Sequence, residues 1–281
     1  MGFFNDFPII KYRFGDDDQS KVYFENMSVY VDNIDQIADN ATYYTKYTIL
    51  DGDRPDTLSY KLYGTVDYYW TFFLLNTSLR ESGWPLTVHR SYEYIKELYP
   101  HWTFTVKKVK VNETLQSQLA GTFPVGQEVT VFNAAGESIH AHIEEKNIDL
   151  GQIVLEPELD GITQTEADNF MLSATKLYYS TIDNQGFVLQ YTIEGDNIAA
   201  KQLQYLAPHH YENTLGEPVD IDPFTRTYKD DEGVSSPIVG LIPITNQQRM
   251  LSAIDTTREI KIFNKKIVSK IVSEFNKAVK G

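Results

Sequence analysis

Residues 43–100 limit the possible folds of this chain more than any other segment, because they predict a fixed order of elements. Tyr47-Thr48-Ile49 is typical of a short strand, since its side chains are aromatic and β-branched. Pro55 favours the first turn of a helix, and Gly64, which tolerates a positive φ, predicts its end. A second helix follows and ends at Asn76. A strand and two helices therefore follow one another directly.

The second helix and the strand expected after it complete this unit. Asp67 is placed to cap the helix, and Trp70, Phe73 and Leu74 recur at the spacings of one buried helical face. Leu86-Thr87-Val88 then predicts a returning strand. The order β-α-α-β, with β-prone runs later in the chain, predicts an α+β fold.

The motifs in this stretch resemble the lysin motif (LysM). The matching residues are Tyr47-Thr48-Ile49, Gly52-Asp53, Leu58-Ser59, Leu62-Tyr63-Gly64, Trp70 to Leu75 and Asn76. A closer resemblance is to the LysM-like module of the baseplate wedge protein of contractile-tailed (myovirus-type) bacteriophages. The residues that carry it are Gly52-Asp53-Arg54-Pro55, Leu62-Tyr63-Gly64, Tyr69-Trp70, Leu74-Leu75-Asn76, Gly83-Trp84-Pro85, and further on His209-His210-Tyr211-Glu212, Ile244-Thr245-Asn246 and Arg258-Glu259-Ile260-Lys261-Ile262.

This resemblance implies a structural protein and not an enzyme. It implies a virion protein of the viral tail baseplate, assembled in the host cytoplasm, that joins neighbouring wedges. Its implied partners are other wedge proteins, including the wedge core and a sheath-initiator-like subunit. The resemblance implies no catalytic residue, no metal and no cofactor.

The rest of the chain predicts further segments around a LysM-like module of residues 43–102. Residues 103–165 hold short β-prone runs between glycine-bearing turns, which is typical of a small all-β domain, and we interpret them as an insertion. Residues 166–207 predict a β-rich connecting segment. Residues 208–248, which contain five prolines, predict an extended arm, as residues 1–42 do at the N-terminus.

Residues 249–281 predict a strand followed by a basic amphipathic helix. Ile260 and Ile262 alternate with polar residues, and Asn264 is a good helix cap. The apolar residues after it recur at spacings of one, three and four: Ile267, Val268, Ile271, Val272, Phe275 and Val279. Eight basic residues accompany three acidic ones in this segment. The apolar stripe either packs on the chain itself or docks into a partner's groove.

The residues expected to bind partners are aromatic or basic. Tyrosine (19) and phenylalanine (15) are abundant, and aromatic residues and arginine are enriched at protein interfaces. Trp70 is expected in the core, because it shares a helical face with Phe73. The proposed partner-binding residues are Arg54, Tyr69, Trp84, Arg258, Lys261, Lys265, Lys266, Lys270 and Phe275.

Charge and composition argue against several classes of function. The 25 basic and 39 acidic residues give a net charge of −14, which disfavours nucleic acid as a partner. No segment has the 18 or more apolar residues of a membrane span, and no cysteine is present for a thiolate site. The sequence also lacks nucleophile-elbow and phosphate-loop motifs. A LysM-type protein that binds peptidoglycan glycan remains the main alternative, and a hydrolase is the third.

Overall fold

The structure is a computed structural model that describes residues 9–13, 21–25, 43–230 and 232–280. It is 31% helix and 36% strand, which confirms the α+β class. The predicted N-terminal arm lies mostly outside the described residues, apart from two strands that pair in antiparallel fashion.

The described chain begins with strands and a run of four helices, continues mainly with strands, and ends with a helix, a strand and a helix. In order, the first are β1 (Ile9–Arg13), β2 (Lys21–Glu25), β3 (Tyr44–Thr48), α1 (Pro55–Tyr63), α2 (Trp70–Leu75), α3 (Thr77–Ser82), α4 (Val88–Leu98), β4 (Trp102–Val106), β5 (Val109–Val111), β6 (Leu115–Ser117), β7 (Glu128–Asn133), β8 (Ser138–Asn147), β9 (Gln152–Pro157) and α5 (Gln164–Ser173). The others are β10 (Ala174–Ile182), β11 (Val188–Glu194), β12 (Ile198–Leu203), β13 (Pro208–Glu212), β14 (Pro218–Val219), β15 (Ile221–Asp222), β16 (Thr227–Lys229), β17 (Ser235–Pro237), β18 (Ile242–Thr245), α6 (Asn246–Thr256), β19 (Glu259–Phe263) and α7 (Val268–Lys280).

The chain divides into two compact units, and the first is discontinuous in sequence. Unit 1 comprises Met1–Ser91 and Ser252–Gly281, and unit 2 comprises Tyr92–Leu251. The segment expected to be an insertion of residues 103–165 is therefore part of a longer one, which separates the two halves of unit 1.

In unit 1, the strand that pairs with β3 is β19 and not the predicted Leu86-Thr87-Val88. β19 runs antiparallel to β3 over five residue pairs, from Glu259↔Thr48 to Phe263↔Tyr44. The prediction of a local returning strand is wrong because Thr87 begins a helix there. Its Oγ1 accepts a hydrogen bond from the backbone N–H of Arg90, as a helix cap does, and Val88 becomes the first residue of α4.

The amphipathic stripe of α7 packs within unit 1. Val268, Val272 and Phe275 are buried against Trp70, Leu74, Leu75 and Phe263 in one cluster. A second cluster joins β3, α1, α2 and β19 through Ile49, Leu58, Phe72, Leu79, Ile260 and Ile262. Of the two possibilities left open by the sequence, the structure shows packing on the chain's own residues.

Unit 2 contains one antiparallel sheet of nine strands in the order β12-β4-β9-β8-β7-β10-β11-β5-β6. Its core includes Trp102, Phe104, Phe123, Ile143 and Leu155, which are almost fully buried. The strands β10, β11 and β12 lie in the segment expected to be a connector. They share the sheet and core of the predicted β domain. The predicted boundary at residue 165 therefore falls inside α5 and does not separate two domains.

Four hairpins in unit 2 use the same turn, in which an Asn or Asp is followed three residues later by glycine. In the first, the side chain of Asn133 accepts bonds from the backbone N–H groups of Ala135 and Glu137, and Gly136 has a φ of 83°. The same geometry recurs from Asp183, Asn213 and Asp230. These local hydrogen bonds from the Asn or Asp side chain stabilise the turn at the tip of each hairpin.

The expected extended arm of residues 208–248 instead forms two three-stranded sheets, β14-β13-β18 and β15-β16-β17. Their small core contains Leu150, Tyr211 and Leu241. The prolines are tolerated because they lie at strand ends or, for Pro243, in the edge strand β18, where a missing N–H costs little.

Candidate partner-binding surface

The Gly-Asp-Arg-Pro motif builds the turn from β3 into α1. Gly52 has a φ of 83°, and the carboxylate of Asp53 accepts bonds from the hydroxyl of Tyr47 and the backbone N–H of Leu50, each at 3.1 Å. Arg54 occupies the N-cap position and Pro55 the first helical position. Three of these four motif residues therefore shape the backbone, and only the side chain of Arg54 points to solvent.

Asn76 holds the closing strand in place. Its amide nitrogen donates to the backbone oxygens of Phe72 (2.7 Å) and Lys261 (2.8 Å), and its amide oxygen accepts from the N–H of Lys261 (2.7 Å). One buried side chain thus caps the end of α2 and pairs with both backbone groups of Lys261 in β19. The asparagine that ends the helix in sequence also fixes the distant strand.

Arg258 was expected to bind a partner, but its guanidinium group is engaged inside unit 1. It donates to the backbone oxygen of Leu86 at 2.7 Å and to Asp255 at 3.1 Å, and it lies 3.8 Å from Asp51. Only 11% of the side chain is exposed. Arg258 therefore connects the start of β19 to the segment before α4, and the partner-binding role expected for it is replaced by a structural one.

Phe275 and Trp84 are likewise core residues. Phe275 is 3% exposed, and its ring centroid lies 4.8 Å from that of Trp70. Trp84 is half-buried, donates from Nε1 to the backbone oxygen of Asp53 at 2.7 Å, and has its ring about 6 Å from that of Phe73. Phe275 cannot contact a partner without unfolding α7, and Trp84 offers only part of its ring.

Tyr63 forms a further internal link between the helices and β19. Its hydroxyl donates to the backbone oxygen of Phe263 at 3.2 Å. Desolvation by burial raises the pKa of Tyr63 to about 12. The phenol consequently stays protonated and keeps donating this bond across the neutral range.

Three of the predicted basic residues remain free on the surface. Lys265, Lys266 and Lys270 are exposed, and they make no ion pair with any residue in the described part of the chain. We call these three residues the lysine surface. Lys261 lies beside it on β19, half-buried, with its Nζ 4.7 Å from the ring centroid of Tyr44.

The exposed aromatic residues in the described part of unit 1 include one on α1, one before the start of α2 and Tyr43 before β3. Tyr69, one of the expected partner residues, is 37% exposed, and Tyr60 on α1 is 64% exposed. Tyr60 was missed because it has no place in the motif, and only its position opposite the buried Leu58 face could have indicated its exposure. Arg54 is also exposed and forms a loose pair with Asp56 at 3.3 Å.

The histidines of the chain show no arrangement that would hold a metal. His209 Nδ1 lies 3.0 Å from Nδ1 of His210, and His210 Nε2 lies 3.0 Å from a carboxylate oxygen of Glu212. Burial first, then the charge of Arg249 and then His210, lower the pKa of His209. Within the described residues, no group of three or more His, Asp or Glu side chains could bind a metal ion together.

Two further findings bear on the function of this surface. Every helix in the described ranges is too short or too polar to cross a membrane. No protein-family model matches the chain, and no curated protein matches it either. The interpretation of its function therefore rests on the chain's own residues.

Proposed function

We propose that this protein is a structural subunit of a contractile-tail baseplate wedge, in which unit 1 joins neighbouring wedges and binds the wedge core and a sheath-initiator-like subunit. In this proposal it acts in the virion, after assembly in the host cytoplasm, and needs no catalytic group or cofactor.

One observation carries most of the proposal. Two of the segments that carry the resemblance, residues 52–85 and 258–262, are separated in sequence by unit 2, and those two segments belong to one body. The other matching residues, His209–Glu212 and Ile244–Asn246, lie in unit 2. Gly52, Gly64 and Asn76 shape its turns, while β19 closes its sheet. A chance match of short motifs would not require segments so far apart in sequence to depend on each other.

The surface of unit 1 fits a joining role better than a catalytic one. Its exposed side chains include the aromatic rings of Tyr60 and Tyr69 and the lysine surface, and such groups give large contact area and favourable encounter with an acidic partner. Attachment through two separate surfaces would raise the effective concentration of each and would hold wedges together without one very tight interface.

The proposal is tested by co-expressing the chain with the wedge proteins of its own phage and purifying through a tag on the wedge core. We expect the full chain to co-purify at fixed stoichiometry. The double variant Arg54→Ala, Tyr69→Ala should lose co-purification while its melting temperature stays near that of the wild type. The matched control is Arg80→Ala, Tyr43→Ala, because Tyr43 is 39% exposed and Arg80 is also a surface residue.

Two results would contradict the wedge proposal. One is complete contractile tails that lack this chain, measured by mass spectrometry of purified tails. The other is a wild-type chain that never binds any wedge protein.

Binding to peptidoglycan is the second candidate, and the exposed rings of Tyr60 and Tyr69 favour it, since sugars stack on such rings. Retention of the wild-type chain on purified cell-wall glycan at ordinary salt, lost in Tyr60→Ala, Tyr69→Ala, would support it over the wedge role. Release of soluble sugar fragments would indicate a hydrolase instead.

A further inference from the structure

Several cations of unit 1 have ion-pair partners of their own, whereas the lysine surface and Lys277 have none among the described residues. Lys46 pairs with Glu259, Arg54 with Asp56, and Arg258 with Asp255. In contrast, Lys265, Lys266 and Lys270 face solvent without an ion pair in the described chain, and the first turn of α7 contains no acidic residue. Three positive charges close together repel one another, so a bound carboxylate surface would stabilise them.

Unit 2 accounts for almost all of the net negative charge of the protein. It contains 10 basic and 23 acidic residues, a net charge of −13 out of the total of −14. A chain with this division of charge carries, in every copy, both a cationic surface and a strongly anionic body. The cationic surface of one copy can therefore attract the anionic unit 2 of another copy.

A cleft of about 860 Å³ lies in unit 2 where the hairpin β13–β14 meets the sheet β15-β16-β17. Glu217, Asp220 and Asp222 line it, together with hydroxyl groups of Thr225 and Ser235. Lys229 is the one cation in this lining. We call this cavity the acidic cleft, and its size admits two or three lysine side chains.

The carboxylates of the acidic cleft suit lysine ammonium groups. Asp220 is exposed and has no hydrogen-bond partner among the described residues. Desolvation opposes the ionisation of Asp222, but bonds from Thr225 and from the backbone N–H of Phe224 lower its pKa, so it is charged near neutral pH. The apolar carbons of Pro218, Val219 and Tyr228 in the wall would contact the aliphatic stems of lysines.

We propose that the lysine surface of one copy of this chain docks into the acidic cleft of a second copy. The contact is heterologous, since the two surfaces differ, so repetition of it forms a ring or an open chain of copies. The inference rests on the charges of this protein and goes beyond the wedge role, because it names the chain itself as a partner.

The test is a charge exchange between two variants of the full chain, followed by sedimentation velocity. The wild-type protein should associate at about 50 mM salt, and its dissociation constant should be about tenfold higher at about 500 mM salt, because exposed ion pairs are weak and screened. Lys265→Glu, Lys266→Glu, Lys270→Glu should be monomeric alone, as should Glu217→Lys, Asp220→Lys. An equimolar mixture of the two should associate again.

The control for the cleft variant is Glu137→Lys, Asp160→Lys. Glu137 accepts a bond from Asn133 in its hairpin as Glu217 does from Asn213 in the matching hairpin, and Asp160 is exposed like Asp220. This control should associate as the wild type does.

Three outcomes would overturn the inference. A wild type that stays monomeric at about 100 μM and low salt would do so. So would a mixture that does not associate, which would indicate that the lysine surface binds some other molecule. Retained association of either single variant would place the contact elsewhere. Because Arg54 and Tyr69 are unchanged in these variants, a failure here leaves the wedge-binding test independent.

Discussion

Asn76 offers the sharpest test of how unit 1 is held together. Its amide makes three hydrogen bonds of 2.7 to 2.8 Å, and two of them go to the backbone of Lys261 in β19. Asn76→Ala removes all three and leaves the backbone groups of Lys261 and Phe72 unpaired in a buried site. At about 1 kcal/mol for each bond, we expect a loss of about 3 kcal/mol in the free energy of unfolding of unit 1.

Hydrogen–deuterium exchange measures this loss where it arises. A loss of about 3 kcal/mol corresponds to about hundredfold faster exchange of amides in β19 and β3. Peptides from unit 2 serve as the internal reference and should exchange as in the wild type. Urea denaturation should show a matching shift of the transition in which unit 1 unfolds.

Two variants distinguish hydrogen bonding from loss of volume. Asn76→Asp keeps the shape but directs a carboxylate at the backbone oxygens of Phe72 and Lys261, so it should destabilise unit 1 at least as much as alanine does. Asn184→Ala, at an exposed hairpin tip, should change stability by less than about 0.5 kcal/mol. Wild-type exchange rates in β19 of the Asn76→Ala variant would refute the conclusion that the side chain of Asn76 holds this strand in place.

Three further predictions concern packing, backbone strain and pH. Phe275→Ala should lower the stability of unit 1 by about 3 kcal/mol, against no measurable loss for the exposed Lys277→Ala, by urea denaturation. Gly151→Ala should destabilise unit 2 by about 2 kcal/mol or more, since the new Cβ would lie 2.7 Å from a proline carbon and a backbone oxygen. The control Gly136→Ala, at a positive φ but with open space around it, should destabilise unit 2 by about 1 kcal/mol. Equal melting temperatures of the two variants would contradict this prediction. Because the pKa of Tyr63 is raised to about 12 from 10, the stability that it contributes is complete below pH 10 and is lost as pH rises towards 12, so Tyr63→Phe should flatten the alkaline fall in melting temperature.

Local signals in the sequence predicted α1 and α7 of unit 1 well, but Asp67 does not cap the second helix, because it bonds to Thr65 and Tyr69 is the N-cap residue. Pro55 begins α1, Gly64 ends it with a φ of 83°, and the stripe after Asn264 forms α7. These signals work because they depend on neighbours in the chain. The pairing of β3 could not be predicted in the same way, since Leu86-Thr87-Val88 and Ile260-Lys261-Ile262 are both plausible strands. Thr87, whose side chain caps α4, is the residue that marks the first of them as the start of a helix.

The error over residues 208–248 has a different cause. Five prolines predict an extended arm only if proline excludes regular structure, but proline is compatible with strand ends and edge strands. The turns at Asn213 and Asp230 repeat the Asn133 and Asp183 pattern of the nine-stranded sheet, and that repetition was visible in the sequence. It was the available signal for two more hairpins.

In the candidate site, the sequence does not determine which side chains face a partner and which pack within unit 1. Residue type cannot tell whether an arginine binds a partner or its own backbone, and Arg258 does the latter. Phe275 was assigned to a partner because its helix is basic, but its ring fills the space beside Trp70. The exposure of Lys270 follows from helical periodicity, whereas Lys265 and Lys266 are exposed in the turn before α7.

The buried stripe of α7 and the lysine surface around its start therefore have separate roles, and this changes how the C-terminal segment should be perturbed. Deleting residues 264–281 would remove both the buried stripe and the lysine surface. Loss of assembly after that deletion would follow from unfolding of unit 1 as readily as from loss of a contact, because Val272 and Phe275 complete its core. Charge reversal of Lys265, Lys266 and Lys270 changes only the exposed face. Association that is lost by reversal and restored by a complementary copy can arise only from the surface, which is why substitution and not truncation separates binding from folding here.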